Sequence, residues 1–128
     1  MKFRNIISLV TPFILISSFL ATQSILAQDI NLGKKVFSEC VACHSVEPNV
    51  HLVGPSLAGV LNRNIGSAPD YRFSKALKNS NGVWDKKTLN SFIENPQAIF
   101  PGNRMPYSGL NNATERSALI AYLETLKP

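Results

Sequence analysis

Polar and apolar residues recur with helical period in three stretches of the chain. From about Ile30 to Val41, the residues Ile30, Phe37 and Val41 fall near one face. Asp29 stands ahead of them as an N-cap, because a carboxylate there accepts free backbone N–H groups and meets the positive dipole end. Gly33 lies on the same face. Glycine inside a helix costs about 1 kcal/mol relative to alanine. Its presence predicts close backbone approach to another element. The second stretch runs from about Lys86 to Asn95, with Asp85 as cap, Leu89, Phe92 and Ile93 as the apolar face, and Pro96 as the stop. The third runs from about Ala113 to Leu126. Asn112 caps it, and Glu115 is placed to reach back in a variant capping box. Leu119, Ile120, Tyr122, Leu123 and Leu126 form its apolar stripe.

Turn residues fill the spaces between: Gly54–Pro55, Gly66, Pro69, residues 79–82, Pro101–Gly102, Pro106 and Gly109. No run alternates as a strand would. The pattern predicts an all-α domain of three or more helices joined by long, ordered loops. Long loops are uncommon in a small domain, and such a chain buries limited apolar surface by itself. A large apolar cofactor in the middle resolves both difficulties, since loops can pack around it.

The first residues read differently. Lys2 and Arg4 precede an apolar run from Ile6 to Leu20, small and polar residues lead to Ala27, and no acidic residue occurs before Asp29. That is the layout of a secretory signal peptide. The expected division is a signal peptide over 1–27 and one domain over 28–128. Ile25 is large for the position three before the cut, and a cut a few residues earlier also fits. The alternative is an uncleaved membrane tether. Ser8, Thr11, Pro12, Ser17 and Ser18 interrupt the run, which is short for a span of about 20 residues.

Setting aside Lys2 and Arg4 leaves 11 Lys and Arg against 8 Asp and Glu, a formal charge of +3. That is too mild for nucleic-acid binding, and no basic run is interleaved with aromatics. It suits steering toward an acidic protein surface, or ordinary solubility.

Cys40 and Cys43 are the chain's two cysteines. A disulfide between them closes a very small loop and restrains the unfolded chain little. Residues 40–44 read Cys40-Val41-Ala42-Cys43-His44, and Cys-x-x-Cys-His is the attachment sequence for c-type haem. Two thiols on one helical turn reach two vinyl groups along one edge of a porphyrin. The next residue, His44, then binds the iron through an imidazole nitrogen. A thioredoxin-like pair lacks its strand-loop-helix setting. A structural zinc site needs four ligands, and the spacing to His51 is wrong for one. A plain disulfide remains as the alternative.

Iron needs a sixth ligand or an open site. Met105 is the one methionine outside the leader, 61 residues beyond His44, in the stiff stretch Pro101-Gly102-Asn103-Arg104-Met105-Pro106. Isolated methionines usually fill cores. A lone one in a rigid turn is better read as an axial ligand, so His44 and Met105 are the expected metal ligands. Such a thioether favours ferrous iron and raises the potential. His51 is the rival ligand, and is read instead as a structural histidine bonding loop backbone.

These residues resemble class I cytochrome c, in its mitochondrial and bacterial c2-like branch, over essentially all of 29–127. The resemblance rests on an ordered set: Gly33 and Phe37; the haem tag; Gly54-Pro55-Ser56-Leu57-Ala58-Gly59; Trp84; Glu94-Asn95-Pro96; 101–105; and Thr114-Glu115-Arg116 through Leu119-Ile120-Ala121-Tyr122-Leu123. It implies the class I fold wrapped around one haem c, attached through Cys40 and Cys43. It implies further that Gly33 lets the first and last helices cross. The Pro55 carbonyl takes the second ring N–H of His44. Arg63 and Trp84 hold haem propionates, Asn103 sits near the buried haem edge, and Tyr107 lies beside the exposed edge. Phe73, Phe92 and Leu77 depart from the family's polar residues at those places, which predicts a drier pocket with a weaker hold on one propionate.

The function implied is a soluble, periplasmic, one-electron carrier and not an enzyme. Its partners are redox proteins with acidic docking surfaces, such as a quinol–cytochrome c reductase, an oxidase or a reaction centre. They would meet in transient complexes, without stable oligomers or nucleic acid. Lys34, Lys35, Lys75, Lys78, Lys86, Lys87 and Arg104 are candidates for a basic ring that speeds encounter. Two other readings are an open-site, peroxidase-like haem enzyme, and a dedicated electron acceptor of one periplasmic dehydrogenase.

Overall fold

The computed structural model describes residues 29–128; the leader expected over 1–27 lies outside them. Helix α1 spans 29–36 and tightens into a 3₁₀ turn over Phe37–Glu39. Helix α2 is Lys75–Lys78, α3 is Lys86–Glu94, α4 is Pro96–Ile99 and α5 is Ala113–Thr125. Among the described residues, extended pairing is confined to one bridge between Asn64 and Val83. The all-α expectation is met.

Three details differ from the periodicity reading. The α-helix ends at 36, so Val41 lies in the following turn and is 53% exposed, while Val36 takes the inward place. Asp29 is already helical. Pro96 does more than stop α3. It opens α4 at the first helical position, where its missing N–H has no partner to lose. The Asn95 side chain caps α4 by accepting the Ala98 N–H at 3.1 Å.

The caps of α3 and α5 stand where the sequence puts them. Asp85 accepts the Thr88 N–H at 2.7 Å. Asn112 accepts from Thr114 and Glu115 at 3.0 and 3.2 Å. No return bond from the Glu115 side chain forms among the described residues, so the box is half made.

Gly33 is where α1 meets α5. A Cβ there would overlap the Ala118 carbonyl and stand 2.8 Å from Cβ of Tyr122. The Phe37 and Tyr122 rings pack with centroids 5.2 Å apart. Helix α3 packs on α5, and the core gathers Val36, Phe37, Leu89, Phe92, Ile93, Leu110, Leu119, Ile120 and Leu123. Arg116 is buried within this frame. Its guanidinium donates to the Leu110 carbonyl at 2.8 Å and to Asn90 Oδ1 at 3.0 Å, and pairs with Glu94 at 3.1 Å.

The loops are ordered by polar bonds rather than by repeats. Ser56 is the centre of one set. Its N–H donates to His51 Nδ1 at 2.9 Å and its hydroxyl to the Glu47 carbonyl at 2.6 Å. A carbonyl only accepts, so His51 Nε2 donates to Pro69 at 2.6 Å, joining two loops. His51 is therefore a structural histidine, as its sequence position suggests.

Candidate functional site

Among the described residues, an apolar cavity opens on the molecule. Cys40, Cys43, His44 and Met105 all line it, together with Pro55, Arg63 and Trp84. Most of its remaining wall is aliphatic or aromatic, including Leu57, Val60, Leu77, Phe92, Ile93, Leu119 and Leu123.

The turn over 40–43 builds the attachment side. The Cys40 carbonyl accepts N–H bonds from Cys43 at 3.0 Å and His44 at 2.9 Å. No disulfide joins the two cysteines. Burial, then Glu39 and Cys43, push the Cys40 thiol up to about 11.

His44 is fixed from two sides. Its Nδ1 stands 2.7 Å from the Pro55 carbonyl, which can only accept, so the proton is on Nδ1 and the Nε2 lone pair is free. Its ring lies flat on Gly54: a Cβ there would be 2.7 Å from Nδ1 and 2.8 Å from Nε2. Burial lowers the His44 pKa, the Pro55 bond opposes that, and Arg63 adds to it. The ring is thus held neutral with one nitrogen ready to ligate.

Arg63 and Trp84 are placed by the single bridge. Asn62 N–H donates to the Trp84 carbonyl and Trp84 N–H to the Arg63 carbonyl, at 3.0 and 2.9 Å. The Arg63 guanidinium donates to the carbonyls of Ala58 and Ser56, which leaves N–H donors to spare. Burial lowers its pKa, yet a guanidinium stays charged. Trp84 packs against Phe92 and Phe100, with centroids 4.9 and 5.8 Å away.

Asn103 is not brought to the cavity wall, where the resemblance implied it. It is 6% exposed, and its bonds run to its own loop and to the neighbouring helix α4. Its amide donates to the Pro96 and Phe100 carbonyls, each at 2.9 Å, and its oxygen accepts the Met105 N–H at 2.9 Å. It shapes the Met105 loop from behind. Phe73, Leu77 and Phe92 do line the cavity and present only carbon there.

Tyr107 also lines the cavity, and its hydroxyl donates to Glu39 at 2.9 Å. Burial first, then the Glu39 carboxylate, raise its phenol above the usual range. Glu39 is the contributor that the sequence did not single out, while Gly54 and Ser56 stood there only as members of the 54–59 run. Nothing in the spacing marks Glu39.

The donor set fits one prosthetic group: two thiols on a single turn, an imidazole with a free nitrogen, a thioether, a guanidinium, and apolar walls. Comparison with known proteins agrees. The Cytochrome c family model matches residues 30–127. The chain belongs to the cytochrome c family. It is 42% identical over 100 residues to the cytochrome c of Euglena viridis, covering 77% of this chain and 98% of that one. It is 43% identical over 102 residues to the cytochrome c2 of Rhodoblastus acidophilus, covering 79% and 95%. The solved structure of cytochrome cH from Methylobacterium extorquens superposes with a TM-score of 0.70 at 38% identity, covering 74% of this chain and 96% of that one. This cytochrome accordingly has the class I fold and carries one haem c, bound covalently through Cys40 and Cys43. It is a monohaem electron carrier and not an enzyme.

Proposed function

We propose that the protein is an exported shuttle that passes single electrons between redox complexes of a respiratory or photosynthetic chain. When bound, haem c supplies the one-electron couple of its iron. The protein supplies the surroundings. His44 and Met105 would ligate the iron, Arg63 and Trp84 would meet the propionates, and the Pro55 carbonyl, already bonded to His44 Nδ1, would strengthen that histidine as a donor. With His44 and Met105 both holding the iron, no position would be left for substrate.

One observation carries this reading. His44 and Met105, 61 residues apart in sequence, line the same apolar cavity as the two attachment cysteines. The apolar wall disfavours the extra charge of the ferric state and so favours a high potential.

The leader-like 1–27 supports export to the periplasm, with a cytochrome domain over 28–128. Among the described residues no helix is long and apolar enough to cross a membrane. Partners with acidic surfaces, of the reductase, oxidase or reaction-centre kind, suit a chain of net positive charge. Lys86 pairs with Glu124 at 2.7 Å, which leaves Lys34, Lys35, Lys75, Lys78, Lys87 and Arg104 as the freer candidates for the ring.

A redox titration of the purified holoprotein, followed optically, tests the reading. The expected result is one reversible one-electron transition, with the weak far-red band of Met-ligated ferric haem. Colourless protein, or ready uptake of carbon monoxide at neutral pH, overturns it. Electron-transfer rates that ignore ionic strength would sink the basic ring.

A further inference from the structure

We propose that the hydrogen bond from Tyr107 to Glu39 is a latch that keeps Met105 in the cavity. Tyr107 is then a positioning residue for the axial thioether. The proposal rests on Met105 being the second axial ligand.

The loop that carries Met105 is held unevenly. Before Met105, Asn103 bonds the Pro96 and Phe100 carbonyls and Gln97 bonds the Asn103 carbonyl. After it, Leu110 N–H donates to the Ile93 carbonyl at 2.9 Å, and Arg116 holds the Leu110 carbonyl. Between these anchors, residues 104–109 form no backbone–backbone hydrogen bond among the described residues. Two side chains reach out of that span. Arg104 donates to the Arg72 carbonyl. Tyr107 reaches Glu39, 68 residues away, at 2.9 Å.

The position of Glu39 gives that bond its consequence. Glu39 adjoins Cys40, whose carbonyl closes the turn that presents His44. The bond therefore fastens the segment bearing the thioether to the segment bearing the imidazole. Met105 itself is only partly buried. An outward swing of 104–109 that removes its sulfur breaks Tyr107–Glu39, the bond that ties the span to the attachment turn. The carboxylate acceptor makes the bond charge-assisted, which strengthens it relative to a neutral pair.

Imidazole is the probe, titrated into the ferric holoprotein at neutral pH while the far-red band is followed. Tyr107→Phe keeps the ring and loses the donor. Glu39→Leu loses the acceptor. Glu39→Gln loses the charge and keeps an acceptor oxygen. Tyr107→Phe and Glu39→Leu are each expected to bind imidazole about fivefold more tightly than wild type, the effect of one net hydrogen bond. Glu39→Gln should give a smaller shift, and the Tyr107→Phe/Glu39→Leu double variant should be no worse than either single one. Imidazole affinity within twofold of wild type in Tyr107→Phe overturns the latch. So does an equal shift in Glu39→Gln and Glu39→Leu, since charge alone then explains it. A wild-type protein without the far-red band overturns the ligand assignment itself, and the latch with it.

Discussion

The Nδ1–H of His44 points at the Pro55 carbonyl from 2.7 Å, and residue 54, between the loop and the ring, is a glycine. The ring occupies the volume a side chain would need. Gly54→Ala sets a methyl carbon 2.7 to 2.8 Å from both ring nitrogens, and ring or loop must move. Overpacking of this kind costs about 1–3 kcal/mol. The expected result is a lower thermal midpoint together with a changed haem spectrum. A spectrum and midpoint equal to wild type would refute the contact.

His51 ties two loops through a single tautomer, accepting at Nδ1 from Ser56 and donating at Nε2 to Pro69. His51→Ala leaves a backbone donor and a backbone acceptor without partners. Water can reach the exposed Pro69 carbonyl, so the expected loss is about 0.5–1.5 kcal/mol, measured by denaturant unfolding of the holoprotein. His51→Gln offers both a donor and an acceptor and should recover part of it.

Arg116 is 5% exposed, and the Leu110 carbonyl it holds belongs to the end of the Met105 loop. Arg116→Met fills similar space without donors. Stability should fall by about 1–3 kcal/mol from the orphaned carbonyl alone, read by chemical denaturation. Amide exchange at Leu110 should quicken. Unchanged exchange there would show that the loop end is held by other contacts.

Asp85 caps α3, and its carboxyl is held below the usual range by the Thr88 backbone N–H first, then the Thr88 side chain, with Lys87 assisting. A folded value below the unfolded one, about 3.9, means the carboxylate stabilises the fold above roughly pH 4. That contribution is lost as pH falls through the depressed folded value. Asp85→Ala should therefore be less stable than wild type at neutral pH, with the gap narrowing in acid. A gap independent of pH between neutrality and strong acid would assign the effect to something other than the charge.

Much of this cytochrome is legible in one dimension because its chemistry is local. Cys40, Cys43 and His44 act within a single turn, so their spacing carries the meaning. The caps Asp85 and Asn112 work over three residues, and the stripe on α5 repeats with the helix period. Glu39 and the partners of Ser56 were not legible, because loop paths without periodicity set them. Asn103 shows the converse. Its neighbourhood to Met105 is plain in sequence, but whether its amide faces the cavity or its own loop depends on how Pro96 and Phe100 fold back over it.

The sequence by itself determined the attachment turn, the three main helices and the need for an apolar filling, since each follows from residue type at short, fixed separations. The tertiary structure alone decided that Gly33 lies against Ala118, that Gly54 underlies the His44 ring, and that Tyr107 reaches Glu39. Those are contacts between segments distant in the chain, and excluded volume and hydrogen-bond geometry settle them only once the loops have closed.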